Sequence, residues 1–528
     1  MTADARRDRV GDVRFLVGLA WSAAVAVAMQ ASVDGTWEVP DPGRPTGLLI
    51  ELKTDGGRLT GSMRGPNGKL EIRNGTVAGG EIHFETDFPM QGRSVPVRFT
   101  GRVSGEELTL TGVMPGIEQK MVARRRAANA GPPDWFSAPP APEDVTAWLR
   151  ANAMPLDDLA ALKARLKDAR FVAMGEATHA THEFQTIKAR VFRMLVEELG
   201  FTVFAIESPW AMAPAIDDYV QGRTDSLSFD GHYNWWRTEE MAELVAWMRS
   251  YNLDAAHTRK VKFVGFDIRG LTVLRPRVIE YLRRADPARQ EEASRLLAEL
   301  GPYDEFPEYT RASKETQRRV AGGIAALVRR FDEAKVEYIA RTSGTEWEFA
   351  RHSLEVLQQG EYKARVTDTE GIEPRDRAMA ANMKWIVDHE PAGTKFLLWA
   401  HNGHVGDDSP RVNMGALLRR EYGSAMAICG FVFGEGSFRA MDGGRERTFT
   451  VGAPVRGSLD ATLGAIGLPV FAVDLRGGPE WFAAAHRSRQ IGGAYSEDTA
   501  PIYWQEVRAS KAFDVLIYVG KTTGTRAL

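Results

Sequence analysis

At 528 residues the chain is too long for one ordinary hydrophobic core, so two or three domains are expected. Its 44% hydrophobic and 26% charged residues suit a soluble globular protein, and a formal net charge of -3 gives no electrostatic ground for binding nucleic acid or an anionic membrane. The single cysteine, Cys429 in "AMAICGFVF", excludes an intramolecular disulfide and a cysteine metal site and reads as core filling.

In chain order, Arg6, Arg7, Arg9 and Arg14 precede the apolar run "FLVGLAWSAAVAVAM", Phe15 to Met29, with small residues at Ala26 to Ala28. This pattern predicts a signal peptide over residues 1–31 and an exported protein, periplasmic or extracellular; an uncleaved anchor is the alternative. The run is short for a membrane span, which needs roughly 20 apolar residues, and no other segment qualifies. Residues 32–126 carry short, partly alternating runs such as "GTWEV", "LLIELK", "VPVRFTGRV" and "ELTLTGV", separated by turn residues. They predict a small all-β barrel or sandwich, in which the lone His83 is structural. An Ala/Pro-rich linker is expected over 127–144.

From residue 145 the texture alternates between helices and strands. "RFVAM", "TVFAIE", "VKFVGFD", "KFLLWAH", "AMAICGFVF", "VFAVDL" and "DVLIYVG" are the candidate buried strands. The pattern predicts an α/β domain over 145–528, with a mainly parallel sheet and helices on both faces. A helical insertion is expected at about 275–390, where apolar residues recur at i, i+3 and i+4.

In an open parallel sheet, ligands bind beyond the carboxyl ends of the strands. The first strand leads to Glu176 and His179, the second to Glu207, the third to Asp267 and Arg269, the fourth to His401 and His404. Acid, base and cation thus gather at one edge. Histidine titrates near neutrality, so it can take a proton from water and return it. A carboxylate fixes its tautomer, and an arginine or second histidine can meet a developing oxyanion. Glu176, His179, Arg269 and His401 could together perform hydrolysis without a protein nucleophile. Glu207 with Arg269 could instead form a buried ion pair, and Asp267 could cap the next segment. His182 begins a helix and has a supporting role. Arg375 and Asp376 open another helix, where an aspartate suits the dipole, and are given no site role. In "HYNWWRTEEMAELVAW", one of Trp235 and Trp236 could face the cleft, and both, together with Asp267, are the candidate substrate contacts.

Other motifs are incomplete. No G-x-S-x-G occurs, "HEFQT" lacks the second histidine of H-E-x-x-H, "GKTTGT" at Gly520 is half a phosphate loop, and "GEG" at Gly434 is half a dinucleotide fingerprint. The two His-x-x-His pairs with Glu207 leave a zinc or manganese hydrolase as an alternative.

The blocks "GEATHATHEFQTIKARVFRMLVEELGFTVFAIE", "NWWRTEEMAELVAWMRSYN", "GFDIRG", "RDRAMAANMKWI" and "WAHNGHV" resemble, in order, those of the erythromycin esterase family. The resemblance covers about Ala147 to the C-terminus and leaves the β module as an addition. It implies hydrolysis of an ester or lactone, as in macrolide antibiotics, with His179 activating water, Glu176 as its partner, and Glu207, His401 and His404 lining the cleft. It implies no cofactor and a small-molecule substrate. Ala180 departs from the pattern, where a glycine is expected. A binding or biosynthetic protein for carbohydrate or lipid on the same fold is the non-catalytic alternative.

Overall fold

The computed structural model describes residues 32–528 apart from 41–46, 66–67, 91–92, 115–116, 128–129, 131–136, 305, 367–372 and 410–411. The expected signal segment and part of the central linker, 128–129 and 131–136, lie outside the described residues. The chain forms two compact units, one from the N-terminal strands and one reaching to Leu528.

The N-terminal unit contains β1 (Gly35–Val39), β2 (Leu48–Asp55), β3 (Arg58–Gly65), β4 (Gly68–Glu71), β5 (Arg73–Ala78), β6 (Glu81–Met90), β7 (Arg93–Ser104), β8 (Glu107–Met114) and β9 (Ile117–Arg125). Eight of these close a barrel in the order β2-β1-β9-β8-β7-β6-β5-β3, sealed by the β2–β3 pairing, while β4 continues from β3. The pairings with given register are antiparallel. Alternation along the strands turns Trp37, Leu52, Phe84, Phe99, Leu108 and Leu110 inward, with Phe84 stacked on Phe99 at 5.0 Å. The interior is a packed core of side chains.

The second unit is built on β10 (Met154–Pro155), β11 (Phe171–Met174), β12 (Val203–Pro209), β13 (Lys262–Asp267), β14 (Phe396–Trp399), β15 (Met426–Asp442), β16 (Arg445–Val451), β17 (Val470–Asp474), β18 (Ala485–Arg489), β19 (Trp504–Arg508) and β20 (Val515–Thr522). The main sheet runs β13-β12-β14-β11-β15-β20-β17-β10. From β13 to β20 every pairing is parallel. Two faces are buried, as an unbroken apolar strand requires. Phe171 and Ala173 enter one core with Phe396 and Leu398, while Val172 and Met174 enter the other with Leu397 and Trp399.

The structure refines the expected sheet in two places. "VFAVDL" is β17, which runs antiparallel to β20 rather than with it. The strand predicted as "AMAICGFVF" is twice as long, because β15 continues past Phe433 to pair with β16 as a hairpin. Cys429 is fully buried, and burial pushes its thiol pKa up, as expected of core filling. "GEG" lies inside β15, and "GKTTGT" is the end of β20 and its exit.

The helical insertion begins at Leu271. It comprises Leu271–Ala285, Pro287–Ala298, Pro307–Arg311, Lys314–Glu333, Lys335–Arg341, Gly344–Arg365 and Pro374–Asp388. Its last helix returns the chain to β14. Among the described residues no helix is long and apolar enough to cross a membrane.

Candidate active site

β11 ends at Met174, and the chain turns out of the sheet through Glu176 and His179 before the helix His182–Leu199. The turn is pinned by Gly175 N to Cys429 O at 2.7 Å, Ile491 N to Ala177 O at 2.6 Å and Arg439 N to Ala180 O at 3.1 Å. Ala180 is in no left-handed conformation, so the backbone demands no glycine there.

Glu176 is fully buried and both its oxygens accept hydrogen bonds. Oε1 takes the Nδ1 proton of His179 at 2.6 Å. Oε2 takes Lys188 Nζ at 2.6 Å and Trp399 Nε1 at 2.8 Å. With the proton on Nδ1, the lone pair of His179 is on Nε2, which has no protein partner among the described residues. Lys188 is itself fully buried, its ammonium 4.3 Å from the Trp399 ring centroid. Burial lowers its pKa to about 8, with Glu176 opposing the fall.

A second cluster forms where β12, β13 and β14 end. Its centre is Arg375, in the first turn of the helix Pro374–Asp388. The guanidinium donates to Asp267 through Nε (2.9 Å) and Nη2 (2.7 Å), to Glu207 Oε1 through Nη2 (2.7 Å), and to His404 Nε2 through Nη1 (3.0 Å). The other Glu207 oxygen accepts the backbone N–H of His401 at 3.0 Å. Burial pushes the Glu207 carboxyl up, but the His404, Arg375 and His179 charges outweigh it and hold the pKa far below the carboxylate range. For Asp267, burial is likewise overridden, chiefly by Arg375.

The two histidines of "HNGH" have distinct states. His401 N-caps a short helix, its Nδ1 accepting Gly403 N–H at 3.1 Å. Burial, together with His179 and His404, depresses its pKa to about 3, so the ring is neutral with its proton on Nε2. Among the described residues that Nε2 is buried with no well-formed hydrogen bond, the Ala177 backbone being its neighbour, and the ring stands edge-on to His179 with centroids 5.3 Å apart. His404 donates from Nδ1 to Asp376 at 2.8 Å while Nε2 accepts from Arg375. Burial disfavours its charged form, but Glu207 and Asp376 outweigh that and raise its pKa. Protonating Nε2 would cost the Arg375 contact, so the arginine contact and the carboxylates pull this ring toward opposite charge states.

An aromatic ladder backs the first cluster. Trp235 stacks on His179 at 4.9 Å and on Tyr233 at 4.5 Å, and Arg269 lies over the far side of Tyr233 at 5.2 Å. Tyr233 donates its hydroxyl to Asp267. Gln185 ties the two loops, its Nε2 reaching His179 O and Trp235 O. The C-terminal residues close the same region. Thr523 O accepts His182 N, Thr525 N reaches Ala180 O, Arg526 O accepts Glu239 N and Leu528 N reaches Arg237 O.

The structure therefore brings Glu176, His179, Glu207, His401 and His404 together, and it corrects three expectations. Arg269 is not the partner of Glu207, which is Arg375; Arg269 is exposed and stands two rings from His179. Trp236 is a core residue, buried, with Nε1 donating to Glu207 O at 2.8 Å and its ring T-shaped to His179 at 6.0 Å, whereas Trp235 stacks face to face on that imidazole. Asp267 is fully buried and committed to Arg375 and Tyr233, which leaves it no face for substrate. His182 starts its helix as expected and pairs with Glu240 at 2.6 Å. Among the described residues no three His, Cys, Asp or Glu side chains are grouped as a metal ion would need.

Arg375, Asp376 and Lys188 were given no site role at the sequence level, although Arg375 and Lys188 each left a signal; Asp376 left none, because an aspartate in a first helical turn suits the dipole. Arg375 sits in the first turn of a helix, where a cation opposes the dipole and needs another reason to be there. Lys188 interrupts the buried stripe Phe184, Val191, Phe192, Leu195 of its helix, a placement that requires a buried anion.

The family model described as Erythromycin esterase matches residues 196–522. The chain belongs to the erythromycin esterase family. The matched span holds Glu207, Asp267, Arg375, His401 and His404, whereas Glu176 and His179 lie just before it. Among curated relatives, YbfO of Bacillus subtilis (strain 168), which carries a hydrolase name, is 24% identical over 426 residues, 71% of this chain and 90% of that protein. The erythromycin esterase type II of Escherichia coli is 22% identical over 406 residues, covering 70% and 93%. A Bacillus cereus crystal structure shares the fold with a TM-score of 0.65 at 24% identity, covering 73% of this chain and 98% of that one. Family and relatives mark the chain as a hydrolase with a small-molecule substrate.

Proposed function

We propose that this erythromycin esterase family member cleaves a carboxylic ester or lactone with water activated by His179. One observation supports the reading: Glu176 holds the His179 proton on Nδ1, which leaves the Nε2 lone pair without a protein partner among the described residues, on a ring that stands edge-on to the neutral His401 with centroids 5.3 Å apart. Nε2 of His179 takes a proton from water as the oxygen attacks the carbonyl carbon. Glu176 stabilises the imidazolium that forms. The His401 Nε2–H donates to the carbonyl oxygen as it becomes an oxyanion, from a buried position that needs no reorganisation. The tetrahedral intermediate collapses, the carbon–oxygen bond to the leaving alcohol breaks, and His179 returns its proton to the departing alkoxide. Glu207, Arg375 and His404 hold the His401 loop in place.

A macrolide lactone is the narrower proposal for the substrate, supported by the esterase relative, and export is supported by the basic and apolar N-terminal run. The test is turnover of a macrolide panel and of simple p-nitrophenyl esters by wild type and His179→Asn. The variant should fold normally and lose about a hundredfold or more in kcat/KM. Equal turnover by both proteins would remove His179 from the reaction.

A further inference from the structure

Residues 490–493 form a strap beside His179, with Gly492 facing its Nε2. Each neighbour of Gly492 is fixed: Gln490 N donates to Tyr503 O at 2.7 Å, Ile491 N to Ala177 O at 2.6 Å, and Gly493 O accepts Met441 N at 2.9 Å. The strap thus binds at one end to the turn that carries His179 and at the other to β15.

The two glycines differ in what they face. A Cβ built on Gly493 would lie 2.6 Å from the Trp235 ring, so that residue is glycine to let the indole stack on His179. A Cβ on Gly492 would meet one atom within 4 Å, Nε2 of His179, at 3.9 Å. That is ordinary van der Waals contact, and the Gly492 backbone is outside the left-handed range. Neither crowding nor backbone conformation accounts for a glycine at 492. What its missing side chain leaves clear is the space in front of the one ring nitrogen of His179 that the protein does not use.

We propose that Gly492 is a specificity-determining position, the wall that sets the size of the group admitted to Nε2 of His179. The identity of that group as an ester rests on the hydrolase reading; the placement of the wall does not. Any side chain at 492 projects into the volume that water and carbonyl must share, so acceptance should narrow from the largest substrates downward as the residue grows.

The test uses the full chain with Gly492→Ala and Gly492→Leu and two independent readouts. The first is carbethoxylation of His179 by diethyl pyrocarbonate, followed by mass spectrometry of its peptide. Because Nδ1 is engaged by Glu176, reaction reports Nε2. Wild type should react, Gly492→Ala more slowly, and Gly492→Leu slower than wild type by about tenfold or more. The second is kcat/KM on p-nitrophenyl esters from acetate to laurate, where the long chains should be lost first. Reaction of His179 in folded Gly492→Leu at the wild-type rate would overturn the proposal, as would a wild-type His179 that never reacts. Should Gly492→Leu fail to fold, Gly492→Ala decides, since its added methyl lies at ordinary contact distance. If wild type cleaves none of the esters, the ester reading fails while the labelling result still decides the wall.

Discussion

Lys188 stands behind Glu176 with its ammonium 2.6 Å from Oε2, and neither side chain is exposed. The carboxylate is thus divided: one oxygen orients His179 and the other neutralises a buried cation. Removing one partner of such a pair leaves an uncompensated charge in the core. Lys188→Met should lower stability by about 3–5 kcal/mol in urea unfolding. Adding Glu176→Gln should recover most of that loss without restoring activity. A single variant as stable as wild type would show that the two charges are not coupled.

Arg375 performs the same service for Glu207 and Asp267 at once. Arg375→Met should cost a similar amount, about 3–5 kcal/mol at pH 7. The deficit should shrink in acid. In wild type the folded pKa values of both carboxyls are depressed, so their contribution is present above their ordinary values of 4.5 and 3.8 and lost as pH falls through the folded ones. In the variant the carboxyls protonate readily, and wild type loses its advantage on the way down. Urea unfolding at pH 7 and at pH 4 checks the narrowing. Arg375→Lys should not substitute, because an ammonium cannot reproduce the fork that reaches Asp267, Glu207 and His404 together.

Gly493→Ala should displace Trp235 from His179, because the added methyl would overlap the indole. Overpacking of this kind costs about 1–3 kcal/mol. Adding Trp235→Phe, with its smaller ring, should restore the melting temperature. Thermal unfolding of the two variants measures the rescue, and no rescue would place the clash elsewhere.

Asp460, which accepts Arg489 N–H at 3.2 Å, offers a test outside the two charged clusters. It is fully buried with Oδ2 unpartnered, and burial raises its pKa from 3.8 to about 6 despite Arg489. A carboxyl that keeps its proton longer when folded loses stability as pH climbs from about 3.8 to about 6. Above that window the cost is on the order of 3 kcal/mol. Asp460→Asn should therefore raise the melting temperature at pH 7.5 and leave it nearly unchanged at pH 4. A scan of melting temperature against pH for both proteins shows whether the dependence disappears.

Much of this organisation was legible because it is periodic or local. The barrel strands alternate, β11 to β15 are apolar runs, and each of the first four sheet strands ends in a group that can carry charge. The partners across the sheet were not legible. Glu207 has an arginine nearby in sequence, Arg269, but pairs with Arg375, more than a hundred residues further on, because the insertion folds its last helix back against β13. Nor does residue type reveal which of Trp235 and Trp236 is core. That depends on the turn at Asn234–Trp236 and on the carbonyl of Glu207 that receives the second indole. The direction of β17 was hidden as well, since an apolar strand reads alike in either sense.

The strand added last, β20, lies between β15 and β17 rather than at an edge, and residues 523–528 then tie down the loops at His179 and Trp235. His179 is thus synthesised long before its housing. A nascent chain that has not reached β20 holds Glu176, His179 and Lys188, yet lacks the segment that completes the sheet beside them. Chains truncated before β20 should therefore carry these residues without the strand and the C-terminal contacts that hold them in place.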